Sequence, residues 1–244
     1  MRFFARFLKG INMISSVVSG AVHGISSYLM QIEVDVSDGL PGFSMVGFLS
    51  SEVKETIDRV KVAIRNNGIK LPSSKFTINL SPADIKKEGV IVDLPVAVGI
   101  LVAMGEINEE SLEGTVILGE LGLDGDVKHI NGTLPIVIKA KECGFKTVIL
   151  PKANAREGAV IDGISIIGVE TLGEVIAYLN AEAQEKSLLI APTFLFSKTQ
   201  SFPRYHSQFS LELAHEKTVT LLLLYQKTDF FSECSYLSTK RICA

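Results

Sequence analysis

Along residues 13–182 the apolar positions repeat with a period that changes from one short segment to the next. Ile14–Val22 reads as a strand, and Tyr28–Val36 alternates Ile32, Val34 and Val36 against Gln31, Glu33 and Asp35. That period of two marks a strand with one buried face. Asp38-Gly39 and Pro41-Gly42 supply turns, and Phe43–Phe48 reads as a third short strand. From Ser50 to Asn67 the spacing lengthens: Val53, Ile57, Val60 and Ile64 recur three or four residues apart. This predicts a helix, with Gly68 as its stop. Lys75–Leu80 alternates again as a strand. Asp93 reads as an N-cap and Pro95 as a first-turn residue of an apolar helix that runs to Met104 and ends at Gly105. Val116–Leu121, the Asp124-Gly125 turn and Val127–Ile130 read as a hairpin. Leu134–Cys143 is a helix before Gly144, Thr147–Leu150 a strand closed by Pro151, Ile164–Val169 a strand and Leu172–Leu179 a last helix. Strands come first and then alternate with helices. The order predicts an α/β (α+β) fold, a mixed sheet with helices packed on one side.

The flanks do not share this rhythm. In residues 1–12, Arg2, Arg6 and Lys9 alternate with Phe3, Phe4, Phe7 and Leu8. The lead reads either as a short amphipathic anchor or, with no apolar core or cleavage site behind it, as an extension ahead of a start at Met13. We expect it to stay outside the fold. Residues 183–244 hold six of the chain's 13 Phe, among scattered Ser and Thr. No apolar stripe there is long enough to bury a face. The expectation is a poorly ordered or aberrant tail, with a small interaction module as the other reading.

Composition narrows the function classes. The 244 residues are 47% hydrophobic and 21% charged, enough to bury a sizeable core, and the formal net charge of −3 disfavours a chain that wraps nucleic acid unaided. Cys143, Cys234 and Cys243 form no CxxC pair, which fits a reducing, cytoplasmic protein. No apolar run reaches the roughly 18–20 residues that span a bilayer. The sequence has no GxxxxGK[ST] loop to cradle a triphosphate, no GxSxG elbow and no HExxH pair. His23, His129, His206 and His215 lack metal-ligand spacing. Gly119, Gly122 and Gly125 follow a GxxGxxG spacing with a turn and strand behind them, which makes them hairpin glycines rather than a dinucleotide loop. One loop has a more specific grammar. It runs from Asn79-Leu80 through Ser81-Pro82-Ala83-Asp84 and Lys87-Glu88-Gly89 to the helix at Asp93, and loops at strand ends often carry sites.

The same loop carries a family resemblance. Gly39-Leu-Pro-Gly-Phe-Ser-Met-Val-Gly47, Val53-Lys-Glu-Thr-Ile-Asp-Arg-Val60 and Ala63-Ile-Arg-Asn-Asn-Gly68 resemble the magnesium-chelatase-subunit-like ComM/YifB ATPases. So do Thr77–Asp84, Lys87–Gly89, Asp93–Ile100, Leu118–Gly125 and Ile149–Asn154, in order, across about residues 13–182. The resemblance implies a front domain similar to the proteolytic domain of Lon and to the C-terminal domain of the recombination protein RadA. The implied fold is the ribosomal-protein-S5 domain-2-like fold. It also implies a parent protein that continues into an AAA+ module, forms hexamers and acts on DNA during natural transformation. This chain departs from that pattern after about residue 186, so ATP and Mg are expected only for the AAA+ module that it lacks, and no cofactor or metal is expected here.

The Lon likeness also locates two chemical positions. A Lon-type peptidase uses a Ser nucleophile activated by a Lys of lowered pKa. In the Lon-like pattern the Ser lies two positions beyond an acidic-Gly pair. Glu88-Gly89 puts Ile91 there. The Lys lies two positions beyond the second Gly of an apolar-Gly-Gly turn, and Ile130-Asn131-Gly132 puts Leu134 there. Neither side chain attacks a carbonyl or accepts a proton, and Thr133 is the one polar candidate beside the second position. The expectation is a non-catalytic scaffold or interaction domain, self-associating or docked on an AAA+ ring, with no membrane role. Asn79, Pro82, Asp84, Lys87, Glu88, Gly89, Asp93 and Pro95 are expected to serve structure or an interface. The alternatives are a divergent Ser-Lys peptidase, disfavoured by Ile91 and Leu134, and a weak DNA-contacting platform built on Arg59, Lys61, Arg65 and Lys70.

Overall fold

The structure is a computed structural model that describes residues 13–24, 26–85, 87 and 91–181. The expectations for residues 1–12 and for the tail, and those for Glu88 and Gly89, lie outside the described residues. β1 (Met13–His23) and β2 (Ser26–Ser37) pair antiparallel over their full length. β2 also pairs antiparallel with β4 (Lys75–Ser81), and β4 pairs in parallel with the edge strand β3 (Gly42–Val46). On the other side of β1 lie three strands in parallel, β5 (Thr115–Ile117), β8 (Thr147–Pro151) and β9 (Ser165–Val169). The sheet order is β3-β4-β2-β1-β5-β8-β9, and β6 (Glu120–Leu121) with β7 (Val127–Lys128) forms a separate small hairpin. The mixed α/β sheet expected from the sequence is therefore present.

The helices are α1 (Ser51–Asn66), α2 (Asp93–Ala103), α3 (Thr133–Glu142), the single turn α4 (Ala155–Gly158) and α5 (Leu172–Asn180). All eleven residues of α2 are buried. A helix without a polar face must be covered all round. The sheet covers one side, and α1 covers another through Val53, Thr56, Val60, Ala63 and Ile64. The sequence period placed Ile57 on that inner stripe. Thr56 holds the inner position instead, because its hydroxyl donates to buried Asp93 at 2.6 Å.

The helices do not all lie on one side of the sheet, contrary to the sequence reading. Successive strand residues face opposite ways, and the unbroken β1–β2 register keeps that alternation intact. α2 lies on the face of Ser15 and Val17: the Ser15 hydroxyl donates to the Gly99 carbonyl at 2.7 Å, and a Cβ on Gly99 would sit 2.9 Å from Val34 Cγ2. α3 lies on the face of Gly20, where a Cβ would run into Ile136 Cγ2. Ser27, on that same face, donates to the Pro135 carbonyl at 2.8 Å. Gly158 of α4 packs on Leu150 and Ile166 of this second face. A β-α-β crossover follows β5 and another follows β8, and the sequence order alone does not say which face each helix covers.

Two strand boundaries also differ. The sequence pattern predicts one strand over Val116–Leu121, but the segment divides. Thr115–Ile117 joins the large sheet, and Glu120–Leu121 turns away to pair with Val127–Lys128. β3 stops at Val46 rather than Phe48 because Gly47 takes φ 136°, outside the strand region.

Candidate functional site

α2 does not begin on an Asp93 cap. Val92 occupies the cap position with no side-chain hydrogen bond, and Asp93 is the first helical residue. Its carboxylate is fully buried and points at α1. It accepts from Thr56 Oγ1 at 2.6 Å, Arg59 Nε at 2.7 Å, Arg59 Nη2 at 3.0 Å and, more weakly, the Leu121 N–H at 3.4 Å. The guanidinium also donates to the Glu52 carbonyl at 3.1 Å. One carboxylate thus joins α1, α2 and the β6–β7 hairpin. The hydrogen bond to Asp93 raises the Arg59 pKa, against the opposing effect of burial, with the nearby charges of Asp93, Glu120 and Glu55 adding to the rise. Charge-assisted, forked contacts of this kind are among the stronger polar interactions in proteins. Sequence reasoning placed Arg59 in a basic surface patch, and the structure commits it to Asp93 instead. Lys61 is also engaged, with Asp58 at 3.0 Å and over the Phe43 ring at 4.9 Å.

Ile91 stands just before this network. It is buried, and its carbonyl accepts from the Gly119 N–H at 3.1 Å while the Gly119 carbonyl accepts from Leu94 N–H at 2.9 Å. The turn into α2 is therefore laced to the segment after β5. The Ile91 side chain, at the position where the sequence reading expects a Lon-type nucleophile, is aliphatic.

The second position is held by a different clamp. Gly132 takes φ 79°, and a Cβ there would lie 2.6 Å from Val22 Cγ2, so this turn into α3 requires glycine on both counts. Leu134 is buried, and its N–H donates to Glu157 Oε1 at 3.1 Å. Asn154 Oδ1 accepts from the Ile130 N–H at 3.0 Å, and its Nδ2 donates to the Ile130 carbonyl at 2.8 Å. The buried amide thereby imitates a neighbouring strand, and its Nδ2 also reaches Glu157 Oε2 at 3.4 Å. Thr133 is buried as well, and its hydroxyl has no hydrogen-bond partner among the described residues. The role of Asn154 was missed from sequence. The available signal was an amide in the short run behind Pro151, before two acid-bearing turns.

The loop residues singled out by their spacing do not converge on one point. Asn79 Nδ2 donates to Glu33 Oε2 at 2.9 Å and to Ser81 Oγ at 3.2 Å, on the sheet face opposite α2. Pro82 is half-buried, Asp84 is exposed, and Pro95 is buried in the first turn of α2. Lys87 lies elsewhere. Its N–H donates to the Phe48 carbonyl at 2.8 Å, and its carbonyl accepts from Ser50 N–H at 3.0 Å, where α1 begins. Its side chain is buried, with Nζ donating to the Ile85 carbonyl at 2.8 Å. Burial lowers the lysine pKa, against the opposing charge of Asp84. Among the described residues no group of three His, Cys, Asp or Glu side chains is placed to hold a metal ion. No described helix is long and apolar enough to cross a membrane.

Comparison with known proteins covers the same ground. Residues 32–154 match the family model described as subunit ChlI of Mg-chelatase. The chain is similar to competence protein ComM of Haemophilus influenzae, at 36% identity over 166 residues, covering 68% of this chain and 32% of that protein. It is similar to YifB of Escherichia coli, at 37% over 169 residues, covering 69% of this chain and 33% of that protein. It is also similar to Lon protease 2 of Bacillus subtilis, at 32% over 181 residues, covering 64% of this chain and 32% of that protein. The chain thus spans about a third of the length of each of these relatives.

Proposed function

The chain belongs to the family of subunit ChlI of Mg-chelatase, with ComM and YifB among its homologues, and from that premise we propose that residues 13–182 act as a non-catalytic scaffold and interaction domain. The observation that carries this reading is the pair of buried aliphatic side chains, Ile91 and Leu134, at the positions where the Lon likeness puts nucleophile and base. Acyl transfer needs an attacking atom and a group to take its proton. A hydrocarbon supplies neither, while the clamps at Asp93 and Asn154 hold the backbone around both positions. The framework without the chemistry suits a domain whose work is to hold a partner.

In this reading the partner is the AAA+ ring that the family resemblance implies, or further copies of the chain, within the cytoplasm. ATP and Mg would serve the ring and not these residues. Action on DNA during transformation would belong to the whole assembly. Arg59 is spent on Asp93 and Lys61 pairs with Asp58 over the Phe43 ring, which weakens the basic patch as a direct DNA contact, although Arg65 and Lys70 stay exposed.

The test is turnover by the purified chain, with casein and a fluorogenic peptide as substrates and with ATP plus Mg, alongside co-elution with an intact ComM-type relative on size exclusion. The expected result is no turnover and co-elution in a complex. Cleavage or hydrolysis that a single substitution within residues 13–181 abolishes would overturn the proposal.

A further inference from the structure

We draw no further inference here: the strongest candidate, the exposed apolar cluster of Leu40, Val46 and Phe48 on the free edge strand β3 and its flanking turns, carries none because nothing in the structure shows what covers it.

Discussion

At the scale of single residues, the sharpest expectation concerns Asp93. It is fully buried and bonds to both Thr56 and Arg59. Removing the carboxylate leaves the buried Thr56 hydroxyl and the Leu121 N–H without their acceptor, while the partly exposed Arg59 keeps Glu55 and the Glu52 carbonyl, a loss of about 1–3 kcal/mol. Asp93→Ala is therefore expected to lower the unfolding free energy by that amount in urea titrations. A change below about 1 kcal/mol, the scale of an exposed pair, would show that the network is solvated and not structural. Lys87 gives a pH-dependent counterpart. Its pKa is lowered in the fold by burial. As pH rises toward the ordinary lysine range, the folded state releases this proton before the unfolded state does. The unfolded chain then holds more protons, so stability rises with pH. Below the folded pKa both states are protonated and the ammonium's burial cost is fully present. Lys87→Met removes that cost. The gap between variant and parent is expected to favour the variant near neutral pH and to narrow toward pH 10. A gap that stays constant over that range would mean that the ammonium reaches water. The sequence marked Asp93 and Arg59 separately but not their pairing, because partnership across 34 positions leaves no local pattern.

Elements were more legible than their arrangement. Period two in Tyr28–Val36 and the wider spacing in Ser50–Asn67 locate β2 and α1 to within a residue or two at most ends, since those periods follow from which side chains face the core. The faces of the sheet covered by α2 and α3 were not legible, because the deciding residue, Gly20, carries no side chain and so adds nothing to a hydrophobic pattern. The structure makes that residue testable. A methyl at Gly20 would overlap Ile136 Cγ2 on α3, and overpacking of this sort costs about 1–3 kcal/mol. Gly20→Ala is expected to destabilise by that amount, and Ile136→Ala to recover part of it, giving a coupling energy of about 0.5–3 kcal/mol in a double-mutant cycle. Strict additivity of the two changes would mean that α3 does not lie on Gly20. The edge strand offers a second test at this scale. Phe43 of β3 stacks on Phe76 of β4 with ring centroids 4.4 Å apart, and Lys61 caps the pair from α1. Phe43→Ala is expected to lose amide exchange protection across β3 while the amides of α2, buried throughout, keep theirs. Equal loss in both elements would show that β3 is part of the global folding unit rather than an edge that opens by itself.

For the molecule as a whole, the connections run from one end of residues 13–181 to the other. α2 packs on β1 and β2 and against α1, so the first and middle thirds share one core. The β6–β7 hairpin then ties that core to the last elements: Asn66 Nδ2 donates to the Leu123 carbonyl at 2.7 Å, Leu172 N–H to the Gly125 carbonyl at 2.9 Å and Val127 N–H to the Glu170 carbonyl at 2.7 Å. The sequence showed a hairpin there but gave no hint that it bridges α1 and α5, since the bonds toward α5 are backbone to backbone and blind to side-chain identity, and the one to α1 rests on a single Asn66 amide 57 positions away. Elements coupled in this way lose their stability together, and small single domains unfold without populated intermediates for that reason. The sequence supplies its own probes. Residues 13–181 contain Tyr28 on β2 and Tyr178 on α5, and the chain has no Trp. With Tyr205, Tyr225 and Tyr236 also replaced by Phe, Tyr28→Phe leaves a single reporter on the last helix and Tyr178→Phe a single one on the second strand. After correction for any stability change seen by far-UV circular dichroism, both reporters are expected to share one urea midpoint and one slope. If Tyr178 were to report an earlier transition than Tyr28, the hairpin would be a contact between two folding units, and α5 would belong to the second of them.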